Sequence, residues 1–138
     1  MATTPNSGKK TARSLVHNPP KPPVEVVGEA KKEWNRIVAL LKPFRILHKL
    51  DRAILFIYVT SWATYLEATR VIATEGMTIE TTKGLVRHPC CDLQEKAWNR
   101  CKSISYELGL SPAARHRLGI SEEVAATSAA TLLSGTTK

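Results

Sequence analysis

The stretch Leu108-Gly109-Leu110-Ser111-Pro112-Ala113-Ala114-Arg115-His116-Arg117-Leu118 contains a helix stop and a helix start within three residues. Gly109 supplies the left-handed position that closes a helix, and Leu110 can fold back onto that helix's last turn. Ser111 is a capping residue for a new helix. Pro112 suits that helix's first position, where φ is already set and the missing N–H would have had no partner. Arg115, His116 and Arg117 then fall in its first two turns. The stretch predicts a cationic corner between two helices.

Working back from the corner, a third helix is expected over about Cys91–Leu108, with Leu93, Ala97, Cys101, Ile104 and Leu108 on one face. Ahead of it, Met77-Thr78-Ile79-Glu80-Thr81 alternates, and Leu85-Val86-Arg87-His88 follows a Thr82-Lys83-Gly84 turn, which reads as a β-hairpin closed by Pro89. A long second helix is expected over about Lys49–Glu75, with Asp51 in its first turn and Gly76 at its end. Its front half, Ile54, Leu55, Phe56, Ile57, Tyr58 and Val59, is apolar all round and calls for cover on more than one side. Those residues, with Trp62, are the candidates for a subunit interface. A first helix over about Gly28–Lys42 carries Trp34, Ile37, Val38 and Leu41 as a core stripe, and Pro43 ends it. The fold class expected is mainly α: a helical protomer with a long central helix, one β-hairpin and a short C-terminal basic helix.

Residues 1–23 are polar and rich in proline, and are expected to form a flexible basic arm. The folded domain is expected over 24–120, and 121–138, rich in Ser, Thr and Ala, as a tail. The 138 residues carry a net charge of +8, unevenly placed. Residues 1–50 hold 10 Lys and Arg against 3 Glu, so nearly all the excess lies at the front. Such a block favours a polyanion through counterion release. The candidate DNA contacts are Lys9, Lys10, Arg13 and Lys21 in the arm, Lys31, Lys32 and Arg36 on the first helix, and Arg115 and Arg117 at the corner. The two corner arginines are equally placed to pair with Glu122 and Glu123. Trp34, Trp62 and Trp98, each on an expected helix, suit core or interface roles better than stacking on bases.

The uncharged run Ala53–Leu66 is 14 residues, a length no other uncharged run exceeds, and is short of the roughly 20 that a membrane span needs. No secretory signal is expected in the polar opening residues, and three cysteines do not make a disulfide framework. A location in the cytoplasm, away from any membrane, is expected. His88, Cys90 and Cys91 fall short of the four ligands of a zinc site and lack a positioned base for a thiol nucleophile. There is no Gly-rich phosphate loop of the Walker type and no catalytic carboxylate pair. No metal, no cofactor and no enzymatic activity are expected.

Taken in order, Trp34 in Trp-x-x-Ile-Val-x-x-Leu, Asp51 opening a long helix, Trp62 within it, Gly76, Gly84, His88-Pro89 and the closing Leu108–Leu118 block make a pattern. Over about residues 24–120 it resembles the small subunit of a bacteriophage terminase, in the family named after phage P-twenty-seven. The resemblance implies a non-catalytic, ring-forming homo-oligomer that engages double-stranded viral DNA in the host cytoplasm. It also implies that the large subunit, whose ATPase and nuclease the small subunit regulates in genome packaging, is a partner. His48 departs from the pattern, which has Thr or Ser at that helix cap; the short, nearly uncharged tail is a second departure. The alternative reading is a small basic helical transcription regulator, whose recognition helix would follow the corner. That helix is short and carries few of the side chains that read base edges. An interaction protein with no nucleic acid would require the basic arm to be incidental.

Overall fold

The computed structural model describes residues 18–119. Helix α1 covers Gly28–Leu41, and α2 covers Arg52–Glu75 after a single 3-10 turn at Lys49–Asp51. Strands β1 (Thr78–Thr81) and β2 (Gly84–Arg87) form one antiparallel hairpin, followed by α3 (Pro89–Glu107) and α4 (Pro112–Arg117). The chain is mainly helical, as the periodicity requires. No helix among the described residues is long and apolar enough to cross a membrane.

Helix α1 buries Ala30, Trp34, Ile37 and Leu41, with Val38 half-buried beside them; Trp34, the largest, is 1% exposed. Pro43 stops the helix, and Arg45, at φ +54°, turns the chain so that Leu47 re-enters the core. The next cap uses an unexpected residue. His48 Nδ1 accepts the Leu50 N–H at 3.3 Å, and Asp51 Oδ2 accepts the N–H of His48 at 2.8 Å. The imidazole nitrogen thus does the work of a threonine hydroxyl, and Asp51 closes the reciprocal bond of a capping box.

Helices α2 and α3 run antiparallel, as three contacts along their length and a fourth just beyond the end of α2 require. Cys101 Sγ lies 3.9 Å from the Tyr58 carbonyl, and the Tyr65 and Trp98 rings are 5.8 Å apart. Further on, Gln94 Nε2 donates to Thr69 Oγ1 at 2.8 Å, and Cys91 Sγ lies 3.7 Å from the Met77 carbonyl. The core joins Trp34, Ile37, Leu41 and Leu47 to Leu55, Tyr58 and Val59 of α2 and to Cys101 and Leu108 at the far side. One residue of the expected α3 stripe is displaced: Leu93 is 47% exposed. The inward line runs instead through Cys91, Gln94, Ala97, Cys101, Ile104 and Leu108, and the polar bond of Gln94 to Thr69 takes the place Leu93 was expected to fill.

The hairpin pairs Thr78 with Arg87, Ile79 with Val86, Glu80 with Leu85 and Thr81 with Gly84. Gly84 takes φ +103°, a conformation a side chain resists. Both strands are largely exposed. At the hairpin's base, His88 is buried, its N–H donating to the Met77 carbonyl at 2.8 Å. Its Nδ1 accepts the Cys90 N–H at 3.0 Å, so the ring proton belongs on Nε2, which faces Glu75 Oε2 at 3.0 Å. One imidazole therefore ties the end of α2, the base of the hairpin and the start of α3. It also explains why α3 begins at Pro89 rather than Cys91: Pro89 is the first helical residue under a histidine cap, not the residue that ends the hairpin.

Candidate nucleic-acid interface

The cationic corner forms as its residues dictate. Gly109 takes φ +73°, the Leu110 N–H donates to the Ser105 carbonyl at 2.9 Å, and Ser111 Oγ accepts the Ala114 N–H at 3.2 Å. The first bond is the long one of a Schellman stop and the second an N-cap, so the angle between α3 and α4 is held from both sides. Two of the candidate DNA contacts take part in that holding. Arg115 Nη1 donates to the Leu110 carbonyl at 3.1 Å, and the Arg117 guanidinium sits 4.7 Å from the centre of the Tyr106 ring. Their alternative partners, Glu122 and Glu123, lie outside the described residues.

On α1 the candidate cations are largely partnered within the helix. Lys32 Nζ meets Glu29 Oε1 at 2.9 Å. Arg36 grips Glu33 with both Nε and Nη2, at 2.7 and 2.6 Å. Glu33 is buried and also accepts the Tyr58 hydroxyl at 3.3 Å, so Arg36 balances a buried carboxylate that holds α1 to α2. The hydrogen bonds to Glu33 raise the Arg36 pKa above its ordinary value, against the desolvation that opposes it. Lys31 is exposed and makes no ion pair among the described residues. Of the arm candidates, Lys9, Lys10 and Arg13 lie outside the described residues.

Lys21 lies where sequence reasoning had no reason to look further. With Asn18, Pro19 and Pro20 it lines a cleft of about 590 Å³ whose opposite wall is Lys49 and Arg52, at the start of α2. Pro20 is buried, so the proline-rich segment lies against the fold here. The signal for Lys49 and Arg52 was present in their spacing around the Asp51 cap.

The candidate interface residues of α2 divide in two. Leu55, Tyr58 and Val59 are buried within the protomer's own core and are out of reach of a neighbour, because α1 and α3 between them cover more of α2 than its all-round apolarity suggests. Ile54, Phe56 and Trp62 are half-buried at the edge of that core, and Ile57 is 48% exposed. Trp62 stacks on Tyr65, with ring centres 5.9 Å apart. Among the described residues no group of three or more His, Cys, Asp or Glu is placed to hold a metal ion.

Neither the curated proteins nor the solved structures include a significant match to the chain. The family described as phage terminase, small subunit, matches residues 30–124. That match begins in the first turn of α1 and runs past α4, so it takes in the core helices, the hairpin and the corner together. The chain belongs to the family of phage terminase small subunits, which serves phage DNA packaging.

Proposed function

We propose that this protein is the non-catalytic, DNA-engaging subunit of a packaging motor, binding double-stranded DNA in the host cytoplasm and adjusting the ATPase and nuclease of a separate large subunit. Family membership over residues 30–124 carries the reading. The charge distribution supports the DNA half of it: the front-loaded cations suit a sequence-indifferent contact with phosphates, which positions DNA without reading it.

Acting on a motor by binding requires differential affinity: the small subunit must favour one state of the large subunit over another. Its own work would be done as a homo-oligomer. Trp62 lies towards the core side beside Tyr65, whereas Ile57, with Ile54 and Phe56 to either side of it on the helix, supplies the apolar surface for a heterologous contact of the ring-closing kind. The same side of α2 suits a close neighbour, because Thr60 and Thr64 donate their hydroxyls back to the Phe56 and Thr60 carbonyls at 2.8 and 2.9 Å. Their hydrogen bonding is thus met inside the helix, leaving aliphatic surface outside.

The test is ATP hydrolysis by a cognate large subunit, measured with DNA, with and without this protein. A several-fold change in rate is expected, with no hydrolysis by the small subunit alone. An unchanged rate removes the regulatory role, and ATPase activity that stays with the repurified small subunit contradicts the reading.

A further inference from the structure

We propose that the cleft between Lys21 and the Lys49–Arg52 turn is a seat for the phosphodiester backbone of double-stranded DNA. The proposal rests on the DNA-binding reading above and gives it a place on the fold.

Three cations from two separate segments of chain converge on this cleft. Among the described residues none of the three is within ion-pair distance of a carboxylate. Four cations elsewhere are matched, Lys32 by Glu29, Arg36 by Glu33, Arg70 by Glu67, and Arg87 by Asp92 and Glu95. Others, such as Lys31, Lys96 and Arg100, stand singly on the exposed surface, so the cleft is set apart by gathering three cations at one concavity. The nearest acid in sequence is Asp51, between Lys49 and Arg52. One of its oxygens is committed to the His48 N–H, so the capping box holds it at the turn.

Asp51 keeps its charge but pairs with none of the three, so the excess of like charge repels itself, and the repulsion persists only where the backbone imposes it. Here it is imposed from both walls. The histidine cap fixes the turn that carries Lys49 and Arg52, and burial of Pro20 fixes Lys21 opposite. A phosphate between the walls would receive charge-assisted hydrogen bonds from an ammonium and a guanidinium, with the Asn18 amide at the rim. Phosphate contacts carry no base information, which agrees with a site built from flexible cations and no aromatic stacking surface.

The experiment uses the full chain and a fluorescently labelled DNA duplex, with affinity read by anisotropy from 50 to 200 mM salt. Lys49→Ala/Arg52→Ala is compared with the parent and with Lys96→Ala/Arg100→Ala, which removes two exposed cations from α3. Each phosphate neutralised releases condensed counterions and contributes about 0.9 to the log–log salt slope. The cleft variant should therefore lose about 1.8 from the slope, so that its affinity falls about tenfold less than the parent's over that range. The α3 variant should keep the parent's slope. Lys49→Gln/Arg52→Gln retains most of each aliphatic stem and should repeat the loss with an unchanged melting curve, which excludes unfolding as its cause. Equal slopes for the cleft and α3 variants would overturn the cleft while leaving DNA binding in place. A parent chain with no salt-dependent affinity for the duplex would overturn the cleft and the DNA reading together.

Discussion

Glu33 is a carboxylate 5% exposed, and its surroundings show how single residues set this protein's stability. Arg36 meets it with two short bonds and Tyr58 with one, so the charge is paired rather than stranded. Its field, added to burial, acts on two neighbours. Burial first and the Glu33 charge second push the Tyr58 phenol up to about 12 and the Cys101 thiol up to about 11. Both groups hold their protons more tightly folded than unfolded. The stability they contribute is therefore complete below their ordinary values of 9.0 for the thiol and 10.0 for the phenol, and is lost as pH rises through about 11 and 12. Helicity followed by circular dichroism should hold to about pH 9 and then fall. Cys101→Ala should delay the onset of that fall by about one pH unit, since the phenol then titrates alone. At neutral pH, Tyr58→Phe should cost about 1 kcal/mol in urea unfolding, because Glu33 loses one bond and keeps its arginine.

At the scale of elements, the turns and caps decide where each helix and strand begins. Gly84 at φ +103° and Gly109 at φ +73° both hold conformations that a β-branched residue resists. Gly84→Val and Gly109→Val should each destabilise by about 1–3 kcal/mol, and His88→Ala by about 1–2 kcal/mol through the lost cap, all read from urea midpoints. Variants that melt with the parent would show that these turns carry no strain. The glycines and Ser111 were legible in the sequence because each has a strong conformational reason to sit where it does. His48 was legible as the residue at a helix cap where Thr or Ser is usual, but the His88 cap was not legible. An imidazole is an uncommon cap, and nothing in the pattern shows that these two rings accept backbone N–H groups. Their roles depend on Asp51 in one case and on Glu75, thirteen residues away, in the other. Leu93 was misplaced for a related reason: a polar residue, Gln94, satisfied by Thr69, is drawn inward and turns the adjacent leucine out. The charge asymmetry was plain, but which cations the fold neutralises is a property of pairs such as Arg36 with Glu33 and could not be read from composition.

For the molecule as a whole, the α2–α3 pair sets two poles. The antiparallel arrangement puts the start of α2, the Lys21–Arg52 cleft and the α4 corner towards one end. The β-hairpin lies at the other, about 36 Å away along a 24-residue helix. Between them lies Ile57, 48% exposed, which the proposed assembly would cover. Light scattering at micromolar concentration should give the parent a mass of several protomers, and Ile57→Lys should reduce it towards one, with helicity preserved because the residue is 48% exposed. A parent that is a stable monomer would end the assembly proposal. The antiparallel pair has one more consequence, for the order of events after synthesis. Thirteen residues (76–88) join α2 to α3 and ten (42–51) join α1 to α2, so the core closes largely through contacts between helices that are consecutive along the chain. Little loop entropy stands in the way, and collapse of each protomer should run ahead of any encounter between copies. Each subunit would then reach its neighbours already folded, and the slow step in building the oligomer would be diffusion and docking rather than folding.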